Sequence, residues 1–179
     1  MSIRTNPWYR ILIVSFLMYT ISFIDRTNIS MAIPDMKSSL GMTSAAIGFA
    51  TGTFFFGYVV LQIPAARLAT HWSAKKFIQW LLIAWGLLSA STAIVQTPLE
   101  LTINRFGLGI VEGGVLTATI ILIRHWFPRE ERARANMLFL ISIPFGGFVA
   151  NPISGLILHL SNWQAMFVIE AIPAFLWAI

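Results

Sequence analysis

An apolar stretch interrupted by one charged pair constrains this chain more than any other feature of its sequence. The stretch covers residues 8–33, is uncharged over residues 11–24, and then carries Asp25 and Arg26 side by side. A helix over residues 8–33 would be about 39 Å long, enough to cross a hydrocarbon core of roughly 30 Å with some tilt. We therefore predict a transmembrane helix, closed by Pro34, that holds two charges inside the bilayer.

A charge inside a membrane span is unusual because it costs on the order of 2.5–3.5 kcal/mol at the bilayer centre. Such charges persist where they face protein or a water-filled cavity, so the pair indicates a functional site. The alternative is that the helix ends at Ile24 and the pair lies at the membrane surface. Residues 11–24 alone would then form a short span of about 21 Å.

The composition is that of an integral membrane protein. Apolar residues make up 57% of the chain and charged residues 11%, against about 25% charged in soluble domains. We predict an all-α polytopic protein with six spans, at about residues 8–33, 45–69, 77–95, 99–123, 135–160 and 163–179. This composition excludes a soluble enzyme, and no nucleophile–base or metal-ligand spacing indicates an intramembrane one. No cofactor is predicted, and the lack of cysteine excludes disulfides.

The basic residues are distributed asymmetrically between the connections. Nine of the twelve Lys and Arg residues lie at the N-terminus or at the 2–3 and 4–5 connections, counting the span ends beside them, and Lys37 stands alone on the other side. The nine are Arg4, Arg10, Arg67, Lys75, Lys76, Arg124, Arg129, Arg132 and Arg134. The positive-inside rule then places the N-terminus in the cytoplasm, with the protein in the plasma membrane, or in the inner membrane of a bacterium. This distribution explains the net charge of +5 without nucleic acid.

Three charged residues are expected at one depth, with a fourth nearer the membrane centre. Arg26 and Arg105 each lie about 10 Å below the outer end of their spans, and Asp25 shares that layer. Glu112 lies two helical turns beyond Arg105 on the same face, nearer the membrane centre. Arginine binds a carboxylate through two parallel hydrogen bonds, and a desolvated Asp25 or Glu112 can take up a proton near neutral pH. The alternative is that Asp25–Arg105 or Arg26–Glu112 are structural ion pairs.

Other polar residues inside the spans are candidates for ligand contacts. Tyr58 and Gln62, one helical turn apart, could bind a ligand or join two helices, and Asn28 is a weaker candidate of the same kind. Glu170 lies about 10 Å into the sixth span with no obvious basic partner, and its direction stays open. The glycines of spans two and four suit close helix packing in lipid. They are Gly48, Gly52, Gly57, Gly107, Gly109, Gly113 and Gly114.

Five short motifs, taken together, point to a known family. They are IDRTNIS at residues 24–30, Tyr58 followed by QIP at residues 62–64, RFGLGIVE at residues 105–112, WFP at residues 126–128 and ERA at residues 131–133. With these motifs the chain resembles the N-terminal half of a major facilitator superfamily transporter. Within that superfamily it is similar to the anion:cation symporter family of organic-anion permeases.

The resemblance implies a fold, an activity and roles for particular residues. The chain would be the N-terminal six-helix bundle of a transporter with two bundles, which binds its substrate between them. The activity would be uptake of a small organic anion, such as a carboxylate or sugar acid, with protons (or sodium in some members) by alternating access. Arg26 and Arg105 would hold the substrate carboxylate, and Tyr58 would line the site. Asp25 and Glu112 would carry the coupling proton.

Three features depart from the family pattern. The loop after span two has Thr70 where the superfamily usually has an acidic residue, which puts its usual cytoplasmic charge relay in doubt. Pro152 and Gly155 partly resemble a signature of proton-driven exporters, although plain helix packing also explains them. The sequence ends within the sixth apolar segment, so a second bundle is absent. We expect a fragment of a longer protein; pairing of two copies and a truncated, non-transporting membrane protein are the alternatives.

Overall fold

The computed structural model describes residues 7–178, apart from the side chain of Tyr9, and within them the chain is helical with no strand. A π-helical turn, Trp8–Leu12, leads into the first helix, and a 3-10 turn, Thr92–Ile94, follows the third. The α-helices are α1 (Ile13–Leu40), α2 (Ser44–His71), α3 (Ala74–Ser91), α4 (Pro98–Trp126), α5 (Arg129–Leu140), α6 (Ser142–Leu160) and α7 (Trp163–Trp177). The predicted all-α fold is confirmed.

Short polar side chains begin four of these helices. Thr43, Ser73, Thr97 and Asn162 each accept a hydrogen bond from the backbone N–H three residues later, at the starts of α2, α3, α4 and α7. Each bond satisfies one of the backbone donors that a helix leaves unpaired at its first turn. These caps allow short connections, which keep consecutive helices antiparallel in the bundle.

The first helix is longer than predicted. Pro34 lies inside α1, which ends at Leu40 with Gly41 in the left-handed conformation at φ 61°. The prediction that Pro34 closes the span is therefore wrong. A proline removes one backbone donor without necessarily ending a helix, whereas glycine adopts the left-handed helix cap without strain. Asp25 and Arg26 lie within α1, so the alternative in which the helix ends at Ile24 is also wrong.

The fifth predicted span also begins earlier than expected. Helix α5 starts at Arg129, and α5 and α6 follow each other through Ile141 as one long helical segment, Arg129–Leu160. Charged residues at the start of α5 extend the helix beyond the apolar stretch, because Glu and Arg are good helix formers.

Four helical segments of the described residues are long and apolar enough to cross a membrane: Ser44–His71, Ala74–Ile94, Pro98–Trp126 and Arg129–Leu160. Helix α1 has 28 residues but carries charges in its middle, and α7 is a shorter apolar helix of 15 residues. Length and composition thus identify four of the six predicted spans.

Helices α2 and α4 pack backbone against backbone. A Cβ atom added to Gly109 would lie 2.0 Å from the carbonyl oxygen of Phe54, and one added to Gly113 would lie 2.1 Å from that of Tyr58. From the other side, a Cβ on Gly57 would lie 2.2 Å from a carbonyl oxygen of α4. Small residues four positions apart permit this close approach, which is common between helices in lipid. The predicted packing role is confirmed for these glycines.

Two glycines of α2 have a different environment. Cβ atoms added to Gly48 and Gly52 would meet nothing within 4 Å, and both residues line a cavity described below. The prediction that they pack against a neighbouring helix is wrong. The sequence could not distinguish a glycine that faces a helix from one that faces open space, because the spacing of glycines along a helix is the same in both cases.

Buried apolar side chains form two clusters with a polar layer between them. The larger cluster includes Tyr19, Phe54, Trp85, Leu108 and Ala174, and the smaller includes Ile29, Met36, Ile47, Leu101 and Phe167. Three buried charged residues lie between these clusters along the helices that carry them: Asp25 on α1, Arg105 on α4 and Glu170 on α7. Glu112, two turns beyond Arg105, lies among the α4 residues of the larger cluster and is joined to the layer by Arg26. Arg26 of α1 is partly buried in the same layer. The apolar clusters separate this layer from both ends of the bundle.

The contact between α2 and α4 gives a test of the packing. Gly109→Ala should lower the melting temperature of the purified protein, because overpacking typically costs about 1–3 kcal/mol and a backbone carbonyl cannot move aside. Gly107→Ala is the matched control on the same helix, since its Cβ would meet Leu88 at an ordinary 3.5 Å. Equal melting temperatures for the two variants would contradict the close approach.

Candidate functional site

A charged pair joins α1 to α4 in the polar layer. Arg26 donates from Nη2 (2.7 Å) and Nε (3.0 Å) to Oε2 of Glu112, and Ser22 Oγ donates to the same oxygen at 3.2 Å. Glu112 is fully buried, and its other oxygen, Oε1, has no hydrogen-bond partner. Of the two ion pairs considered from the sequence, the structure forms Arg26–Glu112. Among residues 7–178, no pair between Asp25 and Arg105 lies within 4.0 Å.

Aromatic rings surround the Arg26 guanidinium. Its Cζ lies 4.7 Å from the ring centre of Tyr58, 5.3 Å from that of Phe54 and 5.5 Å from that of Phe23. The hydroxyl groups of Tyr58 and Tyr19 lie 3.1 Å apart. Ring faces attract a cation without neutralising its charge, so they hold Arg26 in the layer and leave it able to bind an anion.

Asp25 is held by neutral donors. Its exposed fraction is 1%, and its oxygens accept hydrogen bonds from Trp85 Nε1 (2.8 Å), from Ser89 Oγ and from Asn28 Nδ2 (3.3 Å). Trp85 and Ser89 belong to α3, so Asp25 ties α1 to that helix. Arg105 attracts the Asp25 carboxyl group electrostatically, but the two groups are more than 4 Å apart and form no ion pair.

Arg105 carries a buried guanidinium, and two of its three nitrogens have no hydrogen-bond partner among the described residues. The residue is 2% exposed, its Nε and Nη2 have no partner, and its Cζ lies 5.2 Å from the ring centre of Phe167. An unpaired charge at such a position is costly, because the interior supplies nothing to replace the lost water. The arrangement favours an anion at this guanidinium.

Arg105 and Arg26 line the same cavity, which has a volume of about 490 Å³. This size falls within the range of small-molecule sites. The other lining residues are Phe23, Thr27, Ile29, Ser30, Ile33, Gly48, Thr51, Gly52, Phe54 and Phe55. Two guanidinium groups, three hydroxyl groups and apolar side chains thus face one space between α1, α2 and α4. Such a surface can bind a small anion with an apolar or hydroxylated body.

Glu170 faces the interior of the bundle, which the sequence left open. Its Oε2 accepts a hydrogen bond from Asn28 Nδ2 at 2.6 Å, and its Oε1 accepts one from Ser154 Oγ at 2.7 Å. Asn28 is fully buried and is not among the residues that line the cavity. From the sequence, the position of Glu170 about 10 Å into the sixth span was the one indication that Glu170, Asn28 and Ser154 form a buried polar group. Its partners come from α1 and α6, which the sequence cannot bring together.

Two other predicted contacts lie at the margin of the site. Tyr58 stacks on Arg26 without lining the cavity. Within the described part of the chain, Gln62 is half-buried, does not line the cavity and makes no hydrogen bond with the charged groups. It lies one turn beyond Tyr58, so it is further from the cavity than Phe54 and Phe55 on the same helix.

Comparison with known proteins identifies the family. The Major Facilitator Superfamily model matches residues 15–179 of the chain. The chain belongs to the Major Facilitator Superfamily. It is therefore a multi-pass membrane protein with a transporter fold and is not an enzyme. The superfamily assignment accounts for the six helical segments and for the cavity on one side of the bundle.

Two relatives in the superfamily illustrate its range. A putative tartrate transporter of Agrobacterium vitis is 34% identical over 177 residues, which cover 96% of this chain and 39% of the relative. A quinolone resistance transporter of Acinetobacter baumannii is 32% identical over 169 residues, covering 91% of this chain and 39% of the relative. The chain thus spans about two fifths of the length of these superfamily members.

A solved superfamily-like structure agrees with the fold. A bacterial homologue of the human lysosomal transporter Spinster, in an inward-facing and occupied conformation, has a TM-score of 0.90 at 23% identity. The match covers 97% of this chain and 43% of that one. At this identity the likeness concerns the fold alone.

Proposed function

We propose that this chain is the N-terminal bundle of a symporter in the anion:cation symporter family, which takes up a small organic anion with protons by alternating access. The observation that carries the proposal is the buried, unpaired guanidinium of Arg105 on the wall of a cavity that it shares with Arg26. A substrate carboxylate would supply the partner that Arg105 lacks, in the two-point geometry that arginine favours. Tyr58, Gln62 and Asn28 are the further candidates for polar contacts.

The lining of the cavity supports this substrate class. Thr27, Ser30 and Thr51 offer hydroxyl groups, and Phe54 and Phe55 offer apolar surface. A small carboxylate or sugar acid has the matching negative charge and hydroxyl groups. The similarity to a putative tartrate transporter supports this class, because tartrate carries both carboxylates and hydroxyls. A second bundle, or a second copy of the chain, would close the cavity from the other side.

Competition for Arg26 would couple the substrate to protons. Arg26 neutralises Glu112 in the structure, and that carboxylate is fully buried. A substrate carboxylate that draws Arg26 away leaves Glu112 without a cation, and a buried carboxylate without a cation takes up a proton. Asp25 is the second candidate carrier of the coupling proton.

A proton-driven exporter of the same fold is the second candidate. It is favoured by the 32% identity to a quinolone resistance transporter. Pro152 and Gly155 do not strengthen it, because a Cβ on Gly155 would meet Met31 at an ordinary 3.5 Å. An exporter would extrude its substrate as protons enter. The direction of acid-driven movement therefore separates the two proposals.

Substrate binding is tested by Arg105→Ala. In cells that express the full reading frame encoding this chain, the variant should lose uptake of labelled organic anions. Its affinity should fall at least about thirtyfold, since removing one partner of a buried charge pair costs roughly 2–5 kcal/mol. Arg129→Ala, at an exposed position, is the control for the amount of protein at the cell surface and for the loss of one positive charge. Equal binding by Arg105→Ala and wild type would refute the site.

Proton coupling is tested by Glu112→Gln. This variant should still exchange bound anion across the membrane but should lose acid-driven accumulation, because glutamine keeps the shape of the side chain and cannot carry a proton. The exposed Glu130→Gln is the matched control. Counterflow measures the exchange, and net uptake at acidic and alkaline external pH measures the acid-driven accumulation. Accumulation that stays as strong as in wild type would exclude Glu112 as the carrier.

The proposed location is the plasma membrane, or the inner membrane of a bacterium, with the N-terminus in the cytoplasm. The absence of cysteine from the sequence makes single-cysteine labelling direct. An impermeant thiol reagent should label Lys37→Cys in intact cells, and should label Arg129→Cys after the membrane is opened. The reverse pattern would show the opposite orientation.

A further inference from the structure

We propose that Glu170, Asn28 and Asp25 form a second proton-binding site, in which Glu170 binds one proton and the Asn28 amide joins it to the neighbouring carboxyl group of Asp25. The site lies in the core of the bundle, apart from the Arg26–Glu112 pair. This inference deepens the proposed proton coupling and rests on it. It gives Glu170, which has no role in the symport mechanism described above, the function of a proton acceptor.

The first support is the geometry of the three side chains. Asn28 Nδ2 contacts both carboxyl groups, at 2.6 Å from Glu170 Oε2 and 3.3 Å from Asp25 Oδ1. Asn28 is fully buried, Asp25 is 1% exposed and Glu170 is 6% exposed. Two carboxylates that share one buried amide repel each other, so such a pair is most stable with a single proton between them.

The second support is the balance of charge in the polar layer. Within the part of the chain that the structure describes, this layer holds three carboxyl groups and two guanidinium groups. Arg26 contacts Glu112 directly, and Arg105 acts on Asp25. Glu170 is left without a cation of its own. One bound proton neutralises the layer, and Glu170 is the group for which no cation competes.

Among the side chains that surround Glu170, the charged one is Asp25. Helix α7 packs mainly against α1 and α3, with lesser contacts to α6 and to the 3-10 turn. In these described elements, the side chains that reach the cluster are Asp25 and Asn28 of α1, Trp85 and Ser89 of α3 and Ser154 of α6. Arg105 of α4 approaches α7 at Phe167, one turn before Glu170.

The amide of Asn28 can follow the proton. Its Oδ1 has no partner in the structure, while its Nδ2 donates to both carboxyl groups. A half-turn of the amide exchanges Oδ1 and Nδ2, and a protonated Glu170 can then donate its O–H to Oδ1. Asp25 loses its bond from Asn28 in this step and keeps those from Trp85 and Ser89. No covalent bond to carbon or nitrogen changes, because the proton alone moves.

A metal ion is the less suitable occupant. Both oxygens of each carboxyl group already accept hydrogen bonds from neutral donors. Among the described residues, no group of three or more acidic or histidine side chains is arranged to hold a metal. Sodium would have to displace Trp85, Ser89 or Ser154 from the carboxylates, whereas a proton displaces none of them.

Two measurements test the inference. The first is a pH titration of the purified full-length protein, followed by the infrared band of protonated carboxyl groups, with the proton as the probe. The second is the pH profile of uptake. Wild type should show a carboxylic-acid carbonyl band that Glu170→Gln removes and the exposed Glu130→Gln retains. In Glu170→Gln, the ratio of uptake at acidic pH to uptake at alkaline pH should fall about tenfold, equivalent to ~1.4 kcal/mol. The milder Ser154→Ala, which removes one donor to Glu170, should move the titration of the band by about one pH unit.

The outcomes separate this inference from the proposed function. If Glu170→Gln keeps every carboxylic-acid band and the wild-type pH profile, the inference is wrong, even when uptake is acid-driven. An unshifted titration in Ser154→Ala overturns it where Glu170→Gln does not fold. A band that sodium removes at constant pH also overturns it. Wild-type uptake without any acid stimulation refutes the symport proposal instead, and the infrared band still decides whether Glu170 binds a proton.

Discussion

Five ionisable side chains are connected in the core of the bundle, and the arrangement of the helices depends on satisfying them. Four lie between the two apolar clusters, and Glu112 lies beside the larger one. The ion pair from Arg26 to Glu112 joins α1 to α4, and the hydrogen bonds of Asp25 join α1 to α3. Glu170 joins α7 to both α1 and α6 through Asn28 and Ser154. Arg105 is the exception, because its guanidinium faces the cavity with no hydrogen-bond partner. The same layer therefore stabilises the fold and leaves one charge available to a ligand.

Sequence reasoning could predict the helical fold and much of this layer. The length of the apolar stretches predicts the helices, and depth along each span predicts that Asp25, Arg26 and Arg105 occur at similar levels. The two-turn spacing of Arg105 and Glu112 predicts their shared face. The roles of these residues in transport stay predictions, whereas membership of the superfamily is shown by the match over residues 15–179.

The remaining features depend on contacts between helices, which periodicity does not encode. The sequence could not decide which arginine pairs with which carboxylate, and Arg26 reaches Glu112 because α1 and α4 adjoin at that level. It could not orient Glu170, whose partners lie on two other helices. Pro34 was misinterpreted as a helix end because a proline inside a helix and one after it have the same sequence signal. The helix ends seven residues later, at the cap residue Gly41.

The contact between α2 and α4 has a mechanical consequence. Their backbones touch at Gly57, Gly109 and Gly113, with no side chain between them that could change rotamer. The two helices must therefore move as one rigid unit, which carries Arg105 and the cavity-facing part of α2. Helix α1 contacts this unit largely through exchangeable hydrogen bonds and one ion pair. Within this bundle, a change in the shape of the cavity is therefore expected at the boundary where α1 meets α2 and α4, where it would act on the contact between Arg26 and Glu112.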